Sequence, residues 1–377
     1  MPNTIEKKIN NRYIVWLEQS NRWIQFEEPA WFVNKLHQKG IDSHTISLKC
    51  ARKYHLSQKE CLSFVDEICK SMAELSKPSV FTMDSNFSHL PGNAFVPYST
   101  RHYLIGAQRF TLIFETRLAE YYIHQPLAHL ETMHSGDADI QYEIFKRSNV
   151  LVLMEKNHPE TATSFEDFNR LKKRLFINMT NAIYNKTNND WMSFVHASAI
   201  TDGKQTVLLS SASGSGKSTM AALCQAKGLQ LVADDFVPID EKNKRAFPFP
   251  AGISVKEGAF AILSQHYREL QNINFNGYEY ADSSVRYLPP QSSELDYFNA
   301  RPVKTIVFIH YNPQLSCKFK SIPTNKALKL FHEHAWVSGN PNHARAFINW
   351  FVKLSCYNLE YGDTQKGINK ILGIFKS

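Results

Sequence analysis

Apolar and polar positions in the first 78 residues predict one β-hairpin followed by three helices. Residues 12–27 alternate between apolar and polar side chains on both sides of Ser20-Asn21, which predicts two strands joined by a turn. Apolar positions then recur at helical spacing over three stretches: 29–37, 44–54 and a segment that begins with the capping box Ser57-Gln-Lys-Glu60. This pattern is typical of a small winged-helix-like α+β domain, for which we expect the boundaries 1–78.

A stretch rich in turn-forming residues separates this domain from a second pattern. Ser, Pro, Asn and Gly are frequent in residues 79–100, which predicts a linker. Residues 101–190 predict a β-rich lobe, with strands near 103–105, 109–114, 140–145 and 149–154 and helices near 117–122 and 165–185. The aromatic side chains of this lobe fit core positions, and none of its residues indicates chemistry by itself.

Residues 207–228 combine an apolar strand pattern, a loop of small residues and a helical pattern that ends at Gly228. Backbone N–H groups of such a loop can face one phosphate group, and the helix N-terminus adds the positive end of its dipole. Lys217 would then contact the β- and γ-phosphates, and the hydroxyl of Ser218 would bind Mg²⁺. The candidate nucleotide-binding residues are those of the loop and the first helical turn: Ser211, Ser213, Gly214, Ser215, Gly216, Lys217, Ser218 and Thr219.

One position departs from the usual phosphate-loop pattern. Ser211 stands six residues before Lys217, where that pattern has Gly. The alternative interpretation is an ordinary Gly/Ser turn before a helix. The strand, the Gly-Lys-Ser-Thr sequence and the helix together favour the phosphate loop.

A second buried strand pattern, within residues 229–238, ends in the adjacent carboxylates Asp234 and Asp235. In an open parallel sheet we expect this strand to lie beside the phosphate-loop strand, with both carboxyl ends at the ligand-binding edge. Adjacent residues on a strand point in opposite directions, so one carboxylate can hold Mg²⁺ while the other meets an acceptor hydroxyl. A solvated turn is the alternative, and the apolar residues on both sides of the pair argue against it.

Composition and charge narrow the class of protein. The chain has 377 residues, of which 43% are hydrophobic and 21% charged, as in an ordinary globular protein of two or three domains. The formal net charge of +8 suits anionic partners such as nucleotides or acidic peptides, but no Lys/Arg block of nucleic-acid type is present, and a generally basic surface is the favoured explanation. No membrane-spanning run, signal-peptide core, paired cysteines or metal-ligand spacing of histidines is found, so we expect a reduced cytoplasmic protein without membrane attachment.

Three motifs together resemble a known family. Phe-Val-His196-Ala, the Gly-Ser-Gly-Lys-Ser loop and Val-Ala-Asp234-Asp235 look like the catalytic core of HPr kinase/phosphorylase, a family related to phosphoenolpyruvate carboxykinase. The resemblance covers about residues 190–377 and implies an α/β, HPr-kinase-like P-loop kinase core over residues 191–377, with ATP and Mg²⁺ as cofactors.

The resemblance also implies roles for the motif residues. Lys217 would be the phosphate-binding lysine, and Ser218 and Asp234 would hold the metal. Asp235 would be the general base towards the acceptor hydroxyl, and His196 would orient or charge-balance that carboxylate.

The sequence departs from the HPr enzymes in the segment 249–256. A metal-binding glutamate of those enzymes has no counterpart here, whereas Lys256 falls near a family arginine. Lys256 or Arg286 would supply additional positive charge over the transferred phosphoryl group, and either is also compatible with a surface cation. Because the glutamate is missing, we expect neither the phosphorylase half-reaction nor HPr as the substrate.

Residues 1–78 resemble the precursor-peptide recognition domain of pyrroloquinoline quinone biosynthesis, through the strand pair, the aromatic start of the first helix and Tyr-His-Leu-Ser-x-x-Glu before the last one. Segments 285–290 and 359–363 look like landmarks of HPr-kinase-related proteins found beside peptide-maturation genes. Together these resemblances imply an ATP- and Mg²⁺-dependent serine-type phosphotransferase. It would phosphorylate a Ser or Thr hydroxyl of a precursor peptide or small protein that residues 1–78 recognise.

Two other functions remain open at the level of the sequence. One is a kinase of a free hydroxylated metabolite with a regulatory N-terminal domain, and the other is a nucleotide-binding scaffold with little catalysis. The N-terminal domain can also be purely structural. The acceptor, the phosphate donor and the oligomeric state, a homo-oligomer included, are not determined by the sequence.

Overall fold

The computed structural model describes residues 4–78, 95–133, 139–147, 149–212, 214–272, 285–291 and 298–376. The chain falls into two compact units, Met1–Phe81 with Ser321–Cys356 and Thr82–Lys320 with Tyr357–Ser377. Both contain helices and sheets, and this mixed α/β architecture confirms the coarse fold-class prediction. Ser213 and residues 79–94 of the predicted linker lie outside the described residues.

The N-terminal part of the first unit is a three-stranded antiparallel sheet followed by three helices. The sheet order is β1 (Thr4–Ile9), β2 (Arg12–Leu17) and β3 (Arg22–Phe26). The helices are α1 (Glu28–His37), α2 (Ser43–Tyr54) and α3 (Gln58–Leu75). The predicted hairpin and three helices are thus confirmed. Strand β1 was not predicted, because Lys7 stands on the same face as Ile5 and Ile9 and interrupts the apolar alternation.

The predicted capping box starts α3. Ser57 Oγ accepts a hydrogen bond from Glu60 N (3.3 Å), and Glu60 Oε2 accepts one from Ser57 N (3.2 Å). Behind this cap the helix buries Cys61 and Val65 against the first two helices. Local capping and apolar spacing therefore explain why these residues fold as the sequence predicts.

The second unit begins with a lobe built on a five-stranded sheet in sequential order. Its strands are β4 (Ser99–Ile105), β5 (Gln108–Phe114), β6 (Ile140–Arg147), β7 (Val150–Glu155) and β8 (His158–Phe165). Strands β5 and β6 pair in parallel and the other pairs are antiparallel. Helices α4 (Arg117–His124) and α5 (Phe168–Tyr184) complete the lobe. Strand β8 was not predicted because it is a mostly polar edge strand that contains a proline.

The remainder of the second unit contains the motifs. Its strands up to residue 321 are β9 (Trp191–Val195), β10 (Ser198–Thr201), β11 (Thr206–Ser210), β12 (Gln230–Ala233), β13 (Val237–Asp240), β14 (Arg245–Ala246), β15 (Ile253–Lys256), β16 (Val285–Leu288), β17 (Arg301–Tyr311) and β18 (Lys318–Ser321). The helices in this range are α6 (Lys217–Gln225), α7 (Phe260–Leu263) and α8 (Glu269–Asn272). Helix α6 buries Met220 and Leu223 in an apolar core that also contains Val207 and Leu209 of β11.

A later segment belongs to the first unit. It consists of α9 (Thr324–Phe331), β19 (Ala335–Val337) and α10 (Pro341–Phe351). Asn21 Nδ2 donates to Val337 O (2.8 Å), and the rings of Trp23 and Phe347 lie 5.6 Å apart. The N-terminal hairpin thus packs on residues that lie some three hundred positions later in the chain.

The chain returns to the second unit with β20 (Ser355–Tyr361) and α11 (Thr364–Ile374), and β20 pairs with β17 and β18. The main sheet has the order β12-β10-β11-β17-β14-β13-β9. Among the helices of the described residues, none is long and apolar enough to cross a bilayer.

The expectation that β11 and β12 lie side by side in a parallel sheet is wrong. Strand β10 lies between them and is antiparallel to both, while β11 pairs in parallel with β17. The cause is the tight turn between β10 and β11, where Gly203 has a φ of +90° and returns the chain as a hairpin. Because β10 is antiparallel to both neighbours, β11 and β12 still point in the same direction. Their carboxyl ends and the start of β10 therefore meet at one edge of the sheet.

Candidate functional site

The small-residue loop lies between β11 and α6, at the carboxyl edge of the sheet. Gly214 and Gly216 have φ angles of +84° and +95°. A Cβ atom on Gly216 would lie 3.2 Å from Tyr361 Oη and 3.4 Å from Tyr311 Cβ, so both the backbone conformation and the close packing require glycine. Ser211 is not among the described residues with positive φ, which explains why a side chain is tolerated there.

Lys217 is the first residue of α6, and its side chain turns back into the loop. The residue is 7% exposed, and its Nζ donates to the carbonyl oxygens of Ser211 (2.9 Å) and Ala212 (3.4 Å). Burial lowers the pKa of Lys217, and the carboxylates of Asp235 and Asp234 oppose that shift. An ammonium group has three donors, so Lys217 can bind a phosphate oxygen while it remains anchored to the loop.

Asp234 lies at the centre of a buried hydrogen-bond cluster. Its Oδ1 accepts from Ser198 Oγ (2.5 Å) and Ser218 Oγ (3.1 Å), and its Oδ2 accepts from Ser254 N (3.1 Å). Burial and then the neighbouring charge of Asp235 raise the pKa of Asp234 to about 6, although the three hydrogen bonds act in the opposite direction. A 4% exposed carboxylate with this environment is well suited to a cation.

The residues present fit Mg²⁺. Ser218 Oγ and Asp234 Oδ1 are adjacent hard oxygen atoms beside the loop, and such atoms are the ligands that Mg²⁺ prefers. Among the described residues, no group of three or more His, Cys, Asp or Glu side chains could hold a metal by itself. Mg²⁺ at this place would take its other ligands from phosphate oxygens and water, as is usual for nucleotide sites.

Asp235 follows directly but points elsewhere. Its φ of +66° is an uncommon conformation for a residue with a side chain, and its carboxylate has a different partner from that of Asp234. Asp235 Oδ1 lies 2.9 Å from His196 Nδ1, and the aspartate side chain is 56% exposed. Burial opposes ionisation of Asp235, but the hydrogen bond and charge of His196, followed by the charges of Lys172 and Lys217, outweigh it and lower the pKa.

The sheet topology explains why these residues meet. Lys217 and Ser218 follow β11, Asp234 and Asp235 follow β12, and His196 precedes β10 by two residues. Since β10 is antiparallel to both neighbours, its start lies at the edge where the other two strands end. Three separate stretches of sequence thus converge on one place, as the motifs predicted, although the strand order differs from the one expected.

The two cations considered for the transferred phosphoryl group lie in different places. Strands β15 and β16 form a two-stranded sheet in which Ser254 is opposite Tyr287 and Val255 is opposite Arg286. Lys256 shares the face of Ser254, and its charge acts on Lys217. Arg286 is on the other face, where it donates to Leu270 O and lies 4.4 Å from the centre of the Phe260 ring. Only Lys256 therefore belongs to this neighbourhood.

Thr219 lies in the first turn of α6, and Ser215 N donates to Ala212 O (3.4 Å) within the loop.

Four further residues of the site were not predicted from the sequence: Lys172, Ser198, Ser254 and Tyr287. Ser198 Oγ and Ser254 N donate hydrogen bonds to Asp234. Burial, followed by the charges of Asp235, Tyr121 and Asp234, raises the pKa of Tyr287. Of these four residues, only Ser198 carries a signal in the sequence that could have identified it, because it is a polar residue at the start of an apolar strand pattern.

Comparison of the chain with known protein families gives no match, and comparison with curated proteins gives none either. Function has to be inferred from the side chains of this site, their geometry and their charges.

Proposed function

We propose that this protein is an ATP- and Mg²⁺-dependent kinase that phosphorylates a Ser or Thr hydroxyl of a small peptide or protein. The observation that carries the proposal is the convergence of a phosphate loop, a buried Ser–Asp pair and an exposed His–Asp pair at one sheet edge. Phosphoryl transfer requires mainly positioning and charge neutralisation, together with a base for the acceptor hydroxyl. All three requirements have a candidate here.

Each residue then has a specific task. Loop N–H groups, the N-terminus of α6 and Lys217 bind the phosphates, and Lys256 adds positive charge nearby. Ser218 and Asp234 would hold Mg²⁺, which when bound neutralises phosphate charge. Asp235 accepts the proton of the acceptor hydroxyl, while the acceptor oxygen bonds to the γ-phosphorus and the bond from that phosphorus to the ADP oxygen breaks. His196 orients Asp235 and stabilises its ionised form.

The same features support an HPr-kinase-like P-loop core in the second unit. The His–Asp pair, the loop lysine and the Ser–Asp pair support this proposal because they lie at one edge of the sheet. The segment 249–256 contributes Ser254 and Lys256 in place of a metal-binding glutamate. We therefore propose a kinase without the phosphorylase half-reaction, located in the cytoplasm.

The N-terminal domain is proposed to recognise a precursor peptide. Its sheet order leaves β3 as an outer strand, and among the described residues no strand pairs with its second edge. An unpaired edge can accept an extended peptide as an additional strand, with backbone hydrogen bonds giving affinity and side-chain pockets giving selectivity. This interpretation supports a winged-helix-like recognition domain and a peptide acceptor.

The test is transfer of γ-labelled phosphate from ATP to candidate acceptors by the full chain, followed by identification of the labelled residue. We expect phosphoserine or phosphothreonine in a peptide, and loss of the label with the Asp235→Asn variant. Label in a free hydroxylated metabolite would favour the metabolite kinase. Nucleotide binding without any transfer would favour the scaffold.

A further inference from the structure

Helix α5 of the five-stranded lobe carries one lysine on its buried face. Leu171, Leu175 and Phe176 of this helix are buried, and Lys172 precedes Phe176 by one helical turn on the same stripe. Lys172 itself is half-buried, whereas its neighbour Lys173 is exposed. The sequence therefore places an ammonium group where an amphipathic helix normally has an apolar residue.

Aromatic contacts show which part of the site this face meets. The ring of Phe176 lies 6.0 Å from that of Phe236 and 4.5 Å from that of Phe249. Phe236 is the residue directly after Asp235. One turn before Lys172, Phe168 stacks on Tyr122 of α4 at 4.9 Å. Lys172 thus lies on the helix between these two aromatic contacts, one of which reaches the residue next to Asp235.

The charges agree with that placement. Burial lowers the pKa of Lys172, and Asp235 is the charged group that raises it. In turn, Lys172 contributes to the lowered pKa of Asp235. Within the described residues Lys172 forms neither a hydrogen bond nor a direct ion pair, so its charge acts on Asp235 across a gap. An ammonium group that makes no hydrogen bond within the described protein and whose charge acts on the candidate base is available to bind an anionic ligand.

We propose that Lys172 is a further catalytic residue, whose ammonium group binds the transferred phosphoryl group on the acceptor side, opposite Lys217. This inference rests on the proposed kinase function and adds a residue from a separate lobe to it. During transfer the phosphoryl group loses its bond to ADP and gains one to the acceptor oxygen, while Asp235 takes the acceptor proton. Lys172 stays protonated and donates hydrogen bonds to the phosphoryl oxygens, where negative charge accumulates.

The decisive experiment is calorimetric titration of the full chain with Mg²⁺·ADP in the absence and presence of aluminium fluoride, which imitates the transferred phosphoryl group. Lys172→Met should leave the affinity for ADP within about twofold of the wild type. It should weaken binding of the ADP–aluminium fluoride complex by about 10- to 100-fold, the loss expected for a hydrogen bond between charged groups. Lys172→Arg should retain most of the wild-type affinity for that complex.

Lys173→Met is the matched control, since it removes the adjacent, exposed charge from the same helix. It should bind both ligands as the wild type does. Replacement of a lysine with a purely structural role would lower the thermal midpoint. Lys172→Met should keep or raise the midpoint, because the substitution removes an unpaired ammonium group from a half-buried position.

The outcomes separate this inference from the function on which it rests. If the wild type binds no nucleotide, both are wrong. If the wild type binds ADP but gains no affinity with aluminium fluoride, or if Lys172→Met gains as much as the wild type, the role of Lys172 is wrong and nucleotide binding still stands. Equal losses of affinity for the ADP–aluminium fluoride complex in Lys172→Met and Lys173→Met would also overturn the role of Lys172, because they would reflect only the change in net charge.

Discussion

Asp234 and Asp235 are adjacent in the chain, yet their environments move their pKa values in opposite directions. Asp234 is enclosed by serine hydroxyls and a backbone N–H, and burial raises its pKa to about 6. Asp235 faces His196, Lys172 and Lys217, which lower its pKa despite partial burial. Two carboxylates whose pKa values are pushed apart by their surroundings are suited to different tasks. This contrast is the reason for assigning the metal to one and the acceptor proton to the other.

These assignments predict distinct kinetic effects for the two asparagine variants. Asp235→Asn should bind ATP almost as well as the wild type but transfer phosphate about 10²–10⁴-fold more slowly, since the general base is lost. Asp234→Asn should raise the Mg²⁺ concentration needed for half-maximal rate. Steady-state kinetics over a Mg²⁺ series would separate them, and the reverse pattern would invert the two roles. His196→Ala should resemble a milder Asp235 variant, because the imidazole only supports the base.

The raised pKa of Asp234 predicts a pH-dependent stability. Folding favours the protonated form of this carboxyl, so its contribution is present at low pH and is lost as the pH rises through about 6. Between pH 5 and pH 8 the free energy of unfolding of the wild type should fall by about 1–2 kcal/mol relative to that of Asp234→Asn, whose side chain cannot ionise. Thermal unfolding of both proteins at the two pH values, in Mg²⁺-free buffer, measures the difference. A constant difference across this range would show that Asp234 is ionised throughout.

At the scale of secondary-structure elements, most of the motif-bearing strands and helices were predictable because their signals are local. The Gly-Lys-Ser-Thr sequence marks the start of α6, and the capping box at Ser57 marks the start of α3. Strand order was not predictable in the same way, because inserting β10 between β11 and β12 depends on pairing between distant residues. Lys172 was missed for a related reason, since only the packing of α5 brings it towards Asp235.

The loop between β11 and α6 offers a prediction with a matched control. Gly216→Ala should lower both the thermal midpoint and the affinity for Mg²⁺·ATP, the latter by about tenfold, because the positive φ and the contacts with Tyr361 and Tyr311 strain the loop. Gly203 has a similar φ of +90°, but a Cβ there meets no atom within 4 Å, and its turn lies at the opposite sheet edge. Gly203→Ala should therefore lower the midpoint alone. Equal losses of affinity in both variants would mean that the effect is general destabilisation.

At the scale of the whole molecule, the first unit is discontinuous in sequence. Residues 321–356 carry apolar helical patterns that look like any other part of the region 191–377, and only their packing assigns them to the N-terminal domain. No local signal distinguishes a helix that packs on its neighbours from one that packs on a distant hairpin. Composition predicts a boundary at residue 78, and the first stretch of this unit ends at Phe81, but no feature of composition predicts the second segment.

That discontinuity determines how the recognition role of the N-terminal domain can be tested. Deleting residues 1–78 alone would expose Phe347 and its apolar neighbours on α10, so we expect that protein to be unstable or to aggregate. Because β18 and β20 pair with each other, residues 82–320 and 357–377 can instead be joined by a short Gly-Ser turn that replaces 321–356.

This doubly excised protein should retain a cooperative thermal transition and basal ATP hydrolysis. Its KM for a peptide acceptor should rise by about tenfold or more, because the acceptor is no longer held at a high effective concentration. Kinetics with the peptide acceptor, compared with the full chain, measure this change, and an unchanged KM would leave the N-terminal domain with a purely structural role.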